Sequence, residues 1–294
     1  MDRFAWARRT AALDAEDDHH EIYRILSAHE FPWDTNQALS FALFRTYAVP
    51  SIGELLHRTA ELTERTQKRY EDTVLLLDAV LEHGPASEQG REAVRRINQM
   101  HGAYDITQDD LRYVLCTFVV TPIRWLDEFG WRRLTEHEKT ACANYYREVG
   151  RLMGITEIPA SWRAFGVLMD DYEREHFAYH PGSTAVAEAT MALLAELAPN
   201  DKLPNAVVRQ MSLALMDQPL LSAFRFSPPM RGARTAVRLG LKARARMVRR
   251  MPARTTPLQA RDLPTMTLYR DGYDVRELGT FPRGCPVRSP EQAS

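Results

Sequence analysis

Apolar residues recur at three- and four-residue steps along most of this chain, and runs of alternating Val, Ile and Thr are nearly absent. That is the pattern of amphipathic helices, not of half-buried strands. In "QKRYEDTVLLLDAVLEHG", Thr73, Leu76, Leu77, Val80 and Leu81 fall on one face and Gly84 supplies a stop. In "EAVRRINQMHGAYD", Val94, Ile97, His101 and Tyr104 share a face. The most apolar stretch, "LRYVLCTFVVTPIRWL" at 111–126, reads as a central core helix. Further helices are predicted around 37–48 and at 161–177, 184–197, 204–216 and 231–250. Capping boxes at Ser51-x-x-Glu54 and Thr135-x-x-Glu138, with a weaker Asp form at Thr107-x-x-Asp110, mark helix starts. Pro50 reads as a stop for the helix before it. No internal repeat or low-complexity tract interrupts the pattern. It predicts one all-α domain over residues 1–294, built from roughly ten helices. The Pro- and Gly-richer end is expected to wrap the surface, with 283–294 as a loose tail.

Composition narrows the picture. Hydrophobic residues make up 45% and charged residues 26% of the 294, enough for a core that can enclose a sizeable ligand. A formal net charge of −1 gives no general affinity for nucleic acid. The three cysteines, Cys116, Cys142 and Cys285, are far apart and odd in number, which argues against a disulfide scaffold or a zinc site. The opening "MDRFAWARRTAALDAEDDHHE" has no apolar run of signal-peptide type. The core helix is bracketed by Arg112 and Arg124 and is too short to span a bilayer. A cytoplasmic location is therefore expected.

Two polar intrusions stand out on apolar faces. His101 shares its face with Val94 and Ile97, and Gly102 follows it directly. Arg69 and Thr73, four residues apart, stack at the head of the Leu76–Val80 stripe. A buried histidine with one hydrogen bond is the ordinary explanation of the first, and a metal or haem ligand is the sharper one. A buried arginine needs an anion; a structural carboxylate or a haem propionate would serve equally. A ligating imidazole must be neutral, with its second nitrogen donating to an acceptor. Asn98, one turn earlier, is placed to supply or organise that acceptor, and Gly102 leaves room for a flat porphyrin.

The ordered blocks "FPWDTNQALSFALFRTYAVPSIGELLHRTAEL", "QKRYEDT", "RRINQMH", "YVLCTFVVTPIRWLDEFGWR", "EVGRLMGI" and "YRDGYDVRELGTFP" resemble one family over residues 20–282. It is the family of the mycophenolic-acid oxygenase MpaB and the latex clearing protein, a rubber oxygenase, and the chain looks closer to the MpaB branch. The resemblance implies a globin-like helical arrangement around a b-type haem. It also implies O₂-dependent cleavage of an isoprenoid or alkene C=C bond to carbonyl products. The family's Arg-x-x-x-Thr motif precedes its haem-ligating histidine by about thirty residues, and Arg69, Thr73 and His101 match that order. His101 is thus expected as the proximal ligand, with Arg69, Thr73 and Asn98 in the haem pocket. Asp72 joins Arg69 and Thr73 in the expected catalytic set. It stands where rubber oxygenases carry a lysine able to cap the iron. Glu54 lies near the position of a glutamate proposed there as a base.

Other readings compete. Glu16-x-x-His19 and Glu173-x-x-His176 have the spacing of di-iron carboxylate ligands, although both lie in strongly polar sequence. Cys116 is expected to be an inert buried thiol, and Trp125 and Trp131 to be core residues. No acidic residue occurs between Asp217 and Asp262, a span holding eleven cations from Arg225 to Arg261. A solvated basic face, a membrane-surface contact or a carboxylate site would each produce it. A non-enzymatic helical protein with a basic interaction surface is the third reading.

Overall fold

The periodicity is realised as α-helices joined by short turns, with no strand among the described residues. The computed structural model describes residues 1–280; the loose tail expected at 283–294, and Cys285, lie outside them. Fourteen α-helices follow in order: α1 (Ala5–Ala11), α2 (His19–Ile25), α3 (Pro32–Thr46), α4 (Pro50–Arg58), α5 (Glu61–Glu64), α6 (Thr66–His83) and α7 (Glu88–His101), then α8 (Gln108–Phe129), α9 (Glu136–Leu152), α10 (Trp162–His176), α11 (Pro181–Glu196), α12 (Asn205–Leu215), α13 (Gln218–Phe224) and α14 (Ala233–Arg250). The excess over the ten expected comes from short helices such as α1, α2, α5 and α13. Each offers too few turns for a periodic signal.

Local chemistry explains most boundaries and corrects two. Thr135 and Glu138 form the reciprocal box that opens α9, Glu138 N–H donating to Thr135 Oγ1 at 3.2 Å and Thr135 N–H to Glu138 Oε2 at 2.9 Å. Thr107 caps α8, but the Asp110 carboxylate accepts from Ser51 (3.0 Å) and Tyr172 (2.8 Å) instead of closing a box. Ser51 therefore caps nothing. Pro50 does not stop α3; it is the first residue of α4, where a missing N–H costs no helical bond. Between α2 and α3 the chain makes a wide π-turn, Leu26–Glu30, whose five residues are all buried.

The expected core helix is α8. Tyr113, Cys116, Val119, Val120, Ile123 and Leu126 are buried along it, and α3, α9 and α10 pack around it. A second cluster, Phe44, Val186, Leu220, Leu221 and Phe224, joins α3 to α11 and α13. Where the interior meets charge, charge is paired. Arg45 is held by Glu173 and, at 2.7 Å, by Asp217, and Tyr113 donates to Glu173 at 3.1 Å. Arg132 bridges the buried Glu30 and Glu138, both at 2.6 Å.

The α6–α7 hairpin is closed by glycines and covered by the chain's end. Gly84 ends α6 at φ +86°, and a Cβ on Gly90 would collide with the Gly84 carbonyl. The segment 265–280 then crosses both helices. The fully buried Glu71 accepts from the N–H groups of Thr267 (3.0 Å) and Leu268 (2.9 Å). Asp72 accepts from Tyr269 at 2.5 Å and from Lys68 at 2.7 Å. Arg96 donates to the carbonyls of Leu278 (2.7 Å) and Thr280 (2.9 Å).

Glu173→Ala strips Arg45 of its buried partner and leaves only the half-exposed Asp217. A destabilisation of about 3–5 kcal/mol is expected, with Glu173→Gln falling between. Chemical denaturation checks this, and an unchanged midpoint in Glu173→Ala would remove the pair from the fold's support.

Candidate functional site

Antiparallel pairing of α6 and α7 sets the beginning of one beside the end of the other, so Arg69 near the start of α6 approaches His101, the last residue of α7. Burial chiefly, and the Arg69 charge secondarily, pull the His101 imidazole down from 6.5 to about 4. The ring is therefore neutral at physiological pH. Neither of its nitrogens has a hydrogen-bond partner among the described residues. The backbone tightens immediately afterwards, and a Cβ on Gly102 would meet only the Asn98 carbonyl, at 3.1 Å.

Arg69 is half-buried. Its Nη1 donates to Thr73 Oγ1, and the same hydroxyl donates to the Arg69 carbonyl at 2.7 Å. Thr73 thus fixes the guanidinium in place from one turn away. No carboxylate pairs with Arg69 among the described residues. No side chain caps the start of α6, so the positive end of that helix adds to the field there. The Arg69 charge also reaches Tyr47, the residue that closes α3. Burial pushes the Tyr47 phenol up, and Arg69 partly opposes it. Tyr47 is a site neighbour that the sequence reading missed; on a helix face rich in aromatics nothing distinguished it from core.

The other expected site residues fall differently. Asn98 donates to the Leu152 carbonyl at 2.9 Å, tying α7 to the end of α9, and no hydrogen bond joins it to His101. Asp72 is adjacent to Thr73 in sequence but turned to another face, where Lys68 and Tyr269 hold it. The Tyr269 bond joins α6 to the covering segment, the Lys68 bond stays within α6, and neither reaches Arg69, Thr73 or His101. Glu54 is exposed on α4.

The di-iron pairs do not come together. Glu173 is bound to Arg45, His176 lies against Tyr172 with ring centroids 4.1 Å apart, and His19 pairs with Glu148 at 2.8 Å. Among the described residues no three His, Cys, Asp or Glu side chains converge to hold a metal. Burial pushes the Cys116 thiol up to about 12, so it stays protonated and is no thiolate ligand. A cavity between Tyr23, Ser27, Phe118 and Cys142 has room for about one water molecule and touches none of these site residues.

Among the described residues, what the hairpin end offers is one neutral imidazole, unpartnered, beside one guanidinium without a counter-charge.

Comparison with known proteins gives the family. Two "ER-bound oxygenase" proteins of Penicillium brevicompactum are similar to the chain. The one named mpaB' is 29% identical over 243 residues, covering 76% of this chain and 57% of its own length; that named mpaB is 29% identical over 205, covering 64% and 52%. The mpaB of Penicillium roqueforti is 32% identical over 155 residues, or 51% of this chain and 52% of that protein. The chain spans about half the length of these curated relatives. Residues 37–250, which carry Arg69, Thr73 and His101, match the family described as "ER-bound oxygenase mpaB/B'/Rubber oxygenase, catalytic domain", and the chain belongs to that family.

Proposed function

We propose that this chain is a haem b-dependent oxygenase that uses O₂ to cleave a C=C bond of a hydrophobic, isoprenoid-like substrate. The observation that carries the reading is the closeness of a neutral His101 to a half-buried Arg69 that no carboxylate of the described residues pairs, across the α6–α7 hairpin end. Membership in an oxygenase family supports the reaction class. The globin-like arrangement around the cofactor is part of the same proposal.

In this reading His101 would hold the haem iron. Its depressed pKa keeps the ligating lone pair free of protons throughout the physiological range. Arg69 would take a carboxylate of the cofactor, and Thr73 holds the guanidinium in place. The bound haem supplies the iron at which O₂ is activated. Both oxygen atoms enter the two carbonyl products, so the balance needs no external reductant.

Three outcomes test the site. His101→Ala removes the strong protein bond to iron and puts a good helix former at the end of α7. The variant is expected to keep its helical circular dichroism and to lose the Soret band of the haem-supplemented protein. Full haem occupancy with an unchanged spectrum would disprove the ligand assignment.

Arg69→Ala is expected to weaken haem retention by about 10- to 100-fold, the worth of a charge-assisted hydrogen bond. Thr73→Val should produce a smaller loss, with Thr73→Ser restoring it, because only the hydroxyl orients Arg69. Haem transfer to apomyoglobin reads both; wild-type rates in Arg69→Ala would place it outside the pocket.

The third outcome concerns the haem-free protein. His101 binds its proton near 6.5 when unfolded and near 4 when folded. The unfolded state therefore takes up the proton first, and stability falls as the pH drops from about 6.5 towards about 4. Urea denaturation across that window is expected to show a shallower loss in His101→Ala than in the wild type. Identical slopes would mean that the imidazole is not buried in this way.

A further inference from the structure

Seven of the twelve exposed large apolar side chains among the described residues lie between 203 and 251. Val207 and Met211 stand on α12, Leu239 and Met247 on α14, and Met230 and Met251 just outside the two ends of α14. The elements are neighbours. α12 packs on α14, and the Met230 N–H donates to Gln210 Oε1 at 2.8 Å, which ties the intervening loop to α12. Isolated surface apolar residues need no explanation, but a concentration of this kind does.

The cations of the same helix divide into two groups. Arg234 donates to the Met216 carbonyl at 3.0 Å, and Arg238 pairs with Glu128. Arg244 pairs with Asp34 at 3.1 Å and lies 3.7 Å from the Trp33 ring centre. These anchor α14 to the rest of the molecule. Arg231, Lys242, Arg246, Arg249 and Arg250 are exposed and have no carboxylate partner among the described residues. At 100° per residue, Arg246, Leu239 and Arg250 fall within about 40° of one another, with Lys242 and Arg249 to one side and Met247 to the other. The outer face is therefore apolar and cationic together.

We propose that this face docks the protein peripherally on an anionic phospholipid bilayer. Such a surface asks for this combination: long cationic side chains reach headgroup phosphates while leucine and methionine enter the acyl boundary. A nucleic acid would recruit the cations and leave Leu239, Met247 and Met251 without a role. A merely solvated face would not expose them by half or more. No helix among the described residues is long and apolar enough to cross a membrane, so the contact is interfacial. The proposal stands on the helix face alone and does not depend on the haem reading.

The test is vesicle co-sedimentation of the full chain on pure phosphatidylcholine and on phosphatidylcholine containing phosphatidylglycerol, at low and high salt. Binding is expected on the anionic vesicles only, fading as salt rises. Arg246→Gln/Arg249→Gln/Arg250→Gln is expected to lower partitioning about 100-fold, from the contribution of each cation near such a surface. Leu239→Gln/Met247→Gln/Met251→Gln is expected to lower it at least about 10-fold through lost apolar burial. All six positions are solvent-exposed or nearly so, and both variants should keep the wild-type melting temperature. Absence of binding to anionic vesicles at low salt overturns the proposal, as does equal binding to both vesicle types. Loss with the charge variant but not the apolar variant, accompanied by tight binding to duplex DNA, makes the face a polyanion site and overturns it too. Concentration-dependent dimerisation abolished by both variants, without vesicle binding, assigns the face to a second copy instead.

Discussion

Two adjacent buried carboxylates, Glu71 and Asp72, hold the candidate site together. They sit in the second turn of α6 and face the segment 265–280, which supplies two backbone N–H groups to the first and the Tyr269 hydroxyl to the second. Burying acids there is costly unless every oxygen finds a donor. Meeting that demand draws the end of the chain across the α6–α7 hairpin. Gly279 completes the closure at φ +86°, where a side chain would run into Met100 of α7. With the hairpin clamped on this side, Arg69 and Thr73 on a neighbouring face of α6 are left free to meet the end of α7. The covering segment lies outside the family-matched residues 37–250, yet it fixes the helices that carry Arg69, Thr73 and His101.

The contrast among the arginines gives the site its meaning. Arg45 has two carboxylates, Arg132 has two, and Arg96 is spent on two backbone carbonyls. In each case a buried cation is matched within its own fold. Among the described residues Arg69 has only a threonine hydroxyl, and it stands near the uncapped start of a helix. Nothing among the described residues neutralises that point, and the His101 imidazole nearby is kept uncharged by burial and by Arg69 itself. Positive potential concentrated beside a neutral ring favours negative charge at that point, which is what the proposed function asks of it.

How much of this could be read from the sequence varied with the kind of interaction. Periodicity and caps are local, so the all-helical class, the core helix α8 and the box at Thr135 were legible, as was the Arg69–Thr73 stack four residues apart. Contacts across the fold were not. Ser51 reads as a cap until Asp110, fifty-nine residues away, claims its hydroxyl. Asp72 reads as a site residue because it precedes Thr73, but one step along a helix is a turn of about 100°, and its partners come from Lys68 and from Tyr269 at the far end of the chain. Asn98 sits one turn before His101 as expected, yet its amide is drawn to Leu152 of α9. In each case a polar residue capable of several bonds took the one that tertiary packing offered.

The basic segment shows the same limit from the other direction. As a string of letters, the span from Arg225 to Arg261 has one property, an absence of acids. In three dimensions it is several surfaces. Arg225 lies 3.5 Å from the ring centre of Tyr179, and Arg261 pairs with Glu82. Along α14 itself the side chains alternate between an anchoring edge and an outer one every three to four residues. Val237, Leu241, Ala245 and Val248 lie inward, and the paired Arg238 and Arg244 reach from its flanks to Glu128 and Asp34. Since those ion pairs and the apolar inner stripe already hold the helix, its remaining cations contribute nothing to keeping it in place. Their mutual repulsion along the outer face is opposed by no carboxylate of the described chain. A surface that keeps both that repulsion and exposed leucine and methionine side chains is less favourable alone than against a partner that is negative and apolar at once.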